Sequence, residues 1–147
     1  MRRLLPAPVR MLALAAAAAG TCTLAVSARA ADLTIAVSNI ESPTGVLYWN
    51  LFDSAAAYDD DGAPVIGARA RVDGDALTVT VHDLPDGRYA VKLYHDANGN
   101  GQLDTNMVGL PTEGYGFSNN AGAMGPARFD EAAVQVSGDA VIDVRVR

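Results

Sequence analysis

The chain is expected to fold as an all-β protein, a single antiparallel β-sandwich of about seven strands in an Ig-like or prealbumin-like arrangement. Three observations lead there: short runs in which apolar and polar residues alternate, turn-forming tetrapeptides between those runs, and no convincing amphipathic helix after residue 30. Leu33, Ile35 and Val37 alternate with Thr34, Ala36 and Ser38, the period of a strand with one buried face. Val46 to Phe52 is apolar almost throughout, with Trp49 at its centre, and reads as a fully buried central strand. Weaker patterns place strands over residues 65–72 and 129–136. Leu77, Val79 and Val81 alternate with Thr78, Thr80 and His82; Tyr89, Val91 and Leu93 alternate with Ala90, Lys92 and Tyr94. At the end, Ile142, Val144 and Val146 face inward while Asp143, Arg145 and Arg147 face out.

The punctuation agrees with this plan. Leu84-Pro85-Asp86-Gly87 sets φ with its proline and permits positive φ with its glycine, so the strands on either side are expected to form an antiparallel hairpin. Ser42-Pro43-Thr44-Gly45 and Ser137-Gly138-Asp139 serve the same purpose. Between Asp96 and about Ala127 no strand pattern is visible, and a stretch this long inside a compact domain is usually functional. Leu103, Met107, Val108, Leu110, Tyr115 and Phe117 are expected to pin it to the sandwich.

Residues 1–30 carry Arg2, Arg3 and Arg10, then an apolar run from Met11 to Ala19, then Ala28-Arg29-Ala30, the layout of a cleaved secretory leader. A lipid anchor on Cys22 competes, but Ala19-Gly20-Thr21 lacks the large aliphatic residue such a signal carries. The arginine pair also suggests twin-arginine export, which Leu4-Leu5-Pro6 fits poorly. Residues 31–147 then form one exported domain, periplasmic or secreted, with no transmembrane segment and no cysteine. Of 11 Lys and Arg, four lie in the leader, which leaves 7 against 17 acids and a formal charge of −10. That balance argues against nucleic acid as a partner. A monomer with an unidentified envelope or extracellular ligand is expected.

The most specific local pattern is His95-Asp96-Ala97-Asn98-Gly99-Asn100-Gly101-Gln102-Leu103-Asp104. Asp96, Asn98, Asn100 and Asp104 stand at positions 1, 3, 5 and 9 of a calcium-loop spacing, with Gly101 at the sharp turn and the Gln102 carbonyl at position 7. Met107 occupies position 12, where an EF-hand has its bidentate Glu, and a strand precedes the loop instead of a helix. The loop is therefore expected to bind Ca2+ weakly, with Glu113 or Asp83 closing the ligand set, and to order the residues that follow it. A plain polar turn of Asn and Gly is the competing reading. Tyr115, Phe117, Asn119 and Asn120 are the candidate contacts of a recognition surface, with core packing as the alternative for the two aromatics.

From Leu84 to Asn120 the chain resembles an exported bacterial family known as domain of unknown function 2141. The residues that carry the likeness are Gly87-Arg88-Tyr89-Ala90-Val91, His95 to Gly101, Leu103-Asp104-Thr105-Asn106, Gly109-Leu110-Pro111, Glu113 to Phe117 and Ser118-Asn119-Asn120. The resemblance implies the same sandwich but no activity and no catalytic residues. The Pro-Asp-Gly turn leading to an Asp/Asn/Gly loop is also similar to calcium-binding sandwich repeats of bacterial surface proteins, which favours a cation by analogy.

Enzymatic readings rest on less. Gly116-Phe117-Ser118-Asn119-Asn120 lacks the second glycine of a nucleophile elbow. Glu113 with Asp104 could act as the carboxylate pair of a small envelope hydrolase. His82 and His95 with Met107 or Met124 could form a soft periplasmic copper site, although the two histidines have opposite strand phases. Asp59-Asp60-Asp61-Gly62 reads as a solvated acidic hairpin, with a second cation contact as the alternative.

Overall fold

In the computed structural model, which describes residues 30–147, alternating strands pack as two sheets around one apolar core. In chain order the elements are β1 Ala31–Ser38, β2 Val46–Phe52, α1 Ala55–Asp59, β3 Ile66–Arg71, β4 Ala76–Leu84, β5 Gly87–Asp96, β6 Tyr115–Phe117, α2 Phe129–Ala132, β7 Val134–Val136 and β8 Ala140–Arg145. The first sheet has the order β4-β1-β8, and the second β3-β2-β5-β6 with β7 also paired to β5. All pairings are antiparallel except β1 with β8. This is an all-β sandwich. The leader expected in residues 1–30 lies, up to residue 29, outside the described residues, and among those described no helix is long and apolar enough to cross a membrane.

The inward phases follow the alternation. Leu33, Ile35 and Val37 of β1, Val91 and Leu93 of β5, and Val144 and Val146 at the chain's end are all buried, while Asp143, Arg145 and Arg147 are exposed. Burial of that apolar area drives the two sheets together at about 25 cal/mol per Å².

Four expectations are corrected. First, β2 is not buried on both faces: Leu47, Trp49 and Leu51 point into the core, whereas Val46, Tyr48 and Asn50 are half-buried on the outer face. Only Phe52 is sealed there, because α1 and α2 cover just that end of the sheet. Secondly, β4 and β5 do not form a hairpin, since β4 pairs with β1 in one sheet and β5 with β2, β6 and β7 in the other. Leu84 and Tyr89 both point into the core, so the turn steps across the sandwich end, and Tyr89 Oη donates to the Pro85 carbonyl at 2.8 Å. That bond is the corner-closing tyrosine of β-sandwiches.

Thirdly, the segment after Asp96 contains a strand, β6, at Tyr115–Phe117. Its inward position is Gly116, so no apolar alternation betrays it; a Cβ there would stand 2.9 Å from Val144 Cγ1 and 3.0 Å from the Arg145 carbonyl. Fourthly, residues 129–136 are not one strand but a helical turn followed by β7. Asp59 Oδ1 accepts the Phe129 N–H at 2.9 Å and Glu131 Oε2 accepts the Arg128 N–H at 3.3 Å, satisfying donors that a helix start leaves open.

The 59–62 run is solvated at Asp60, Asp61 and Gly62 but is not a hairpin, because Asp59 ends α1 and pairs with Arg128 at 3.1 Å, while Asp61 lies 3.6 Å from Lys92 Nζ. A second, smaller cluster forms outside the five-stranded sheet from Phe52, Tyr58, Ala90, Ala127, Phe129 and Ala132. Tyr58 is sealed within it, edge-on to Phe52 and Phe129. Burial pushes its phenol far above the ordinary range, and Asp59 and Glu131 add to the effect.

Candidate functional site

The calcium-spaced loop begins where β5 runs out. Asp96 is its last residue, 1% exposed, and its carboxylate is fully engaged: Oδ1 accepts the N–H groups of Gly99 at 2.7 Å and Asn100 at 3.1 Å, and Oδ2 that of Gly101 at 2.7 Å. A loop can curl this tightly around one side chain only where φ turns positive, as at Gly99 (79°) and Gly101 (80°). Asn98 and Asn100 continue the same device, each accepting the N–H two residues on, from Asn100 at 3.0 Å and Gln102 at 2.9 Å.

The far ends of these side chains meet on Asp104. Asn98 Nδ2 donates to Asp104 Oδ2 at 2.6 Å and Asn100 Nδ2 donates to Oδ1 at 2.8 Å. Glu113 then clamps both ends of the loop, Oε1 accepting from Ala97 N–H at 2.9 Å and Oε2 from Asp104 N–H at 3.1 Å. Tyr94 reaches over from β5 to donate to the Gly101 carbonyl at 3.1 Å. Burial raises the Tyr94 phenol's pKa, and nearby Tyr48, Asp96 and Glu113 raise it further.

Of the expected ligand residues, Asp96, Asn98, Asn100 and Asp104 are thus brought together, and Glu113 lies against both ends with each oxygen accepting a backbone N–H. Gln102 contributes its N–H to Asn100. Asp83 does not join them. Its backbone N–H bonds Asp32 Oδ1 in the other sheet, near the start of β5, whereas the loop sits at that strand's far end. Among the described residues no group of three or more His, Cys, Asp or Glu is arranged to hold a metal ion. The side-chain oxygens gathered there, on Asp96, Asn98, Asn100, Asp104 and Glu113, all accept N–H groups.

The copper reading fails on placement. His82 Nδ1 lies 2.8 Å from Asp32 Oδ2 on the first sheet, whereas His95 is buried in the second at the opposite end of β5. Met107 and Met124 are both fully exposed. The bond from His82 holds the Asp32 carboxyl below its ordinary value. The hydrolase pair fares little better: Asp104 and Glu113 are neighbours, but their oxygens hold the loop shut instead of facing an open cleft between them.

The four candidate contact residues have structural partners. Tyr115 and Phe117 pack edge to face at 5.9 Å under the Arg147 guanidinium, 5.5 and 5.7 Å from the two rings. Asn119 and Asn120 adopt φ of 59° and 47° and bond the backbone of Glu131 and Arg145. Ser118, which sequence reasoning considered only as a failed nucleophile, is fully buried; its hydroxyl accepts from Val91 N–H at 2.8 Å and donates to the Ala132 carbonyl at 2.6 Å.

A different surface emerges next to the loop. A bridge between Thr105 and Pro111 and the bond from Thr112 N–H to the Asp104 carbonyl close the base of a short projection. At its tip, Asn106 Oδ1 accepts from both Val108 and Leu110 N–H at 3.0 Å, and its own backbone exchanges bonds with Gly109 and Leu110. Met107, Val108 and Leu110 are therefore turned outward, at 104, 78 and 61% exposure, and do not anchor the segment as expected; Leu103, Tyr115 and Phe117 are half-buried. The Asn106-x-x-Gly109 pattern was the available signal.

No curated protein and no solved structure matches the chain. A family model does match, over residues 35–143, from β1 through β8 and including the loop, the tip and the Ser118 region. The chain thus belongs to the family described as an uncharacterized protein conserved in bacteria (DUF2141).

Proposed function

We propose that the protein is a non-catalytic binding module of the cell exterior, in which the 96–104 loop takes up calcium weakly and the neighbouring 106–110 tip is the surface presented to a partner. The observation that supports the reading is the convergence of Asn98 and Asn100 on both oxygens of Asp104, beside a buried Asp96. To offer oxygen to an ion the two amides would leave Asp104 and give up the bonds they accept from the Asn100 and Gln102 N–H groups, so an ion would have to replace both sets. With two formal charges and amides already committed to Asp104, the affinity belongs with extracellular modules, on the order of 10⁻⁴ to 10⁻³ M. The leader in the sequence supports export to where such a site would fill. The tip is tied to the same loop through Asp104 and Glu113, so an ion there would stiffen the base on which Met107, Val108 and Leu110 stand.

The test is terbium luminescence, since Tyr94 bonded to the Gly101 carbonyl is placed to sensitise an ion in the loop. Emission that calcium displaces at sub-millimolar to millimolar concentration, weakened about tenfold in Asp104→Asn, is expected. Absence of sensitised emission, or the same emission in Asp104→Asn, overturns the calcium reading.

A further inference from the structure

At the same end of the sandwich, but on the core side of the sheet, the structure has a cleft of about 260 Å³ between the β1–β2 turn and the segment leading into β6. Its lining includes Glu41 and Ser42 from the turn, Glu113 and Tyr115 from the segment, and Arg147. His95 lines it as well. That side chain is 3% exposed, on the inward phase of β5, and its Nε2 lies 2.6 Å from the Thr44 carbonyl. A carbonyl can only accept, so Nε2 carries a proton, and in the neutral imidazole Nδ1 is then the acceptor. Nδ1 has no hydrogen-bond partner, yet among the described residues the one side-chain polar atom sealed without a partner is Tyr58 Oη. Nδ1 is therefore not sealed, and the cleft is the cavity that His95 lines.

We propose that this cleft binds a small neutral hydroxyl-bearing ligand, a single sugar residue or a polyol, whose O–H donates to His95 Nδ1. A buried histidine with a committed Nε2–H presents an acceptor, which selects a donor. The two carboxylates of Glu41 and Glu113 in the same lining disfavour an anion, and Arg147 offers guanidinium donors from which a hydroxyl can accept and an ammonium group cannot. A polyol satisfies both signs at once, donating to Glu41 and accepting from Arg147 through adjacent hydroxyls. The volume is below the roughly 300–1,000 Å³ of pockets for larger ligands, which limits the occupant to about one ring. Glu113 is shared with the loop, but the cleft chemistry stands on His95 and needs no calcium.

The experiment is titration of the full-length protein, with ¹⁵N-labelled histidine, against glucose, N-acetylglucosamine and glycerol, with ethanolamine and acetate as charged controls, each with calcium and with chelator. A saturable shift of the His95 Nδ1 resonance with a neutral hydroxyl ligand, at a Kd on the order of 1–10 mM, is expected. The same shift in chelator separates this site from the calcium reading. His95→Phe is expected to abolish binding; should that variant fail to fold, Glu41→Gln, on an exposed residue, is expected to weaken it about five- to tenfold. No Nδ1 shift with any neutral hydroxyl ligand, a shift with ethanolamine or acetate alone, or undiminished affinity in Glu41→Gln overturns the proposal.

Discussion

Ser118→Ala is the substitution whose consequence follows most directly from the geometry. The hydroxyl is wholly buried and occupies the gap between β5 and α2, accepting the Val91 N–H at 2.8 Å and donating to the Ala132 carbonyl at 2.6 Å. Alanine removes one oxygen and opens almost no cavity, so the loss is not one of packing. It strands a donor on the second sheet and an acceptor at the end of α2, both out of reach of bulk water. An unpaired buried polar group costs about 1–3 kcal/mol, which makes the expected loss roughly 2–5 kcal/mol. Against a total stability of about 5–15 kcal/mol for a domain, that is a large fraction. With a urea m-value of about 2 kcal/mol/M, the unfolding midpoint should fall by about 1–2.5 M with m unchanged. Amide exchange at Val91 should accelerate more than at Leu93, which lacks this partner. A midpoint shift below about 0.3 M, with Val91 still protected, would refute the reasoning and mean that water or a relaxed backbone replaces the hydroxyl.

The remaining predictions concern other parts of the molecule. Gly45→Ala should destabilise by about 2–5 kcal/mol in thermal or urea unfolding, because φ is +83° there and the new Cβ would run into the Asp96 carbonyl and stand 2.8 Å from Ala97 Cα, both backbone atoms. Raising the pH should destabilise the fold from about pH 10, the ordinary tyrosine value, upward. Burial raises the pKa values of Tyr58, Tyr89 and Tyr94 in the native state, so their contribution is intact below the unfolded value and lost as pH climbs toward the folded ones. An ultraviolet tyrosine titration in which all five phenols ionise together near pH 10, with no accompanying unfolding, contradicts this. Replacing Met107, Val108 and Leu110 together by Ser should leave stability within about 0.5 kcal/mol, since their side chains are exposed; a larger loss would show that they pack on the domain.

Where sequence reasoning succeeded and where it failed divides along one physical line. The strands β1, β4, β5 and β8 were readable with their inward phases, because each has one face in the core and solvent or polar surface opposite, and a period of two records that difference. β6 was missed because close approach to β8 demands glycine at its inward position, which erases the period. The second cluster around Tyr58 was invisible, since its members are scattered from Phe52 to Ala132 and only folding brings them together. The apolar letters of 107–110 suggested anchors, but Asn106 holds the turn so that they face outward.

By itself the sequence determined that the chain is a β-sandwich, which residues of β1, β4, β5 and β8 face its core, and that Asp96 to Asp104 is a tight loop of Asp, Asn and Gly. Those properties depend on local spacing: alternation, positive-φ glycines and Asx turns act within a few residues of one another. Only the tertiary structure decided that Leu84–Gly87 passes between sheets instead of joining a hairpin, that β1 lies parallel to β8, and that Glu113 closes the loop from the far side of the tip. It also decided that His95 lines a cleft while its Nε2 is held by the Thr44 carbonyl. These depend on which surfaces meet across long stretches of chain. A turn tetrapeptide has the same local energy whether its flanking strands share a sheet or face each other across a core.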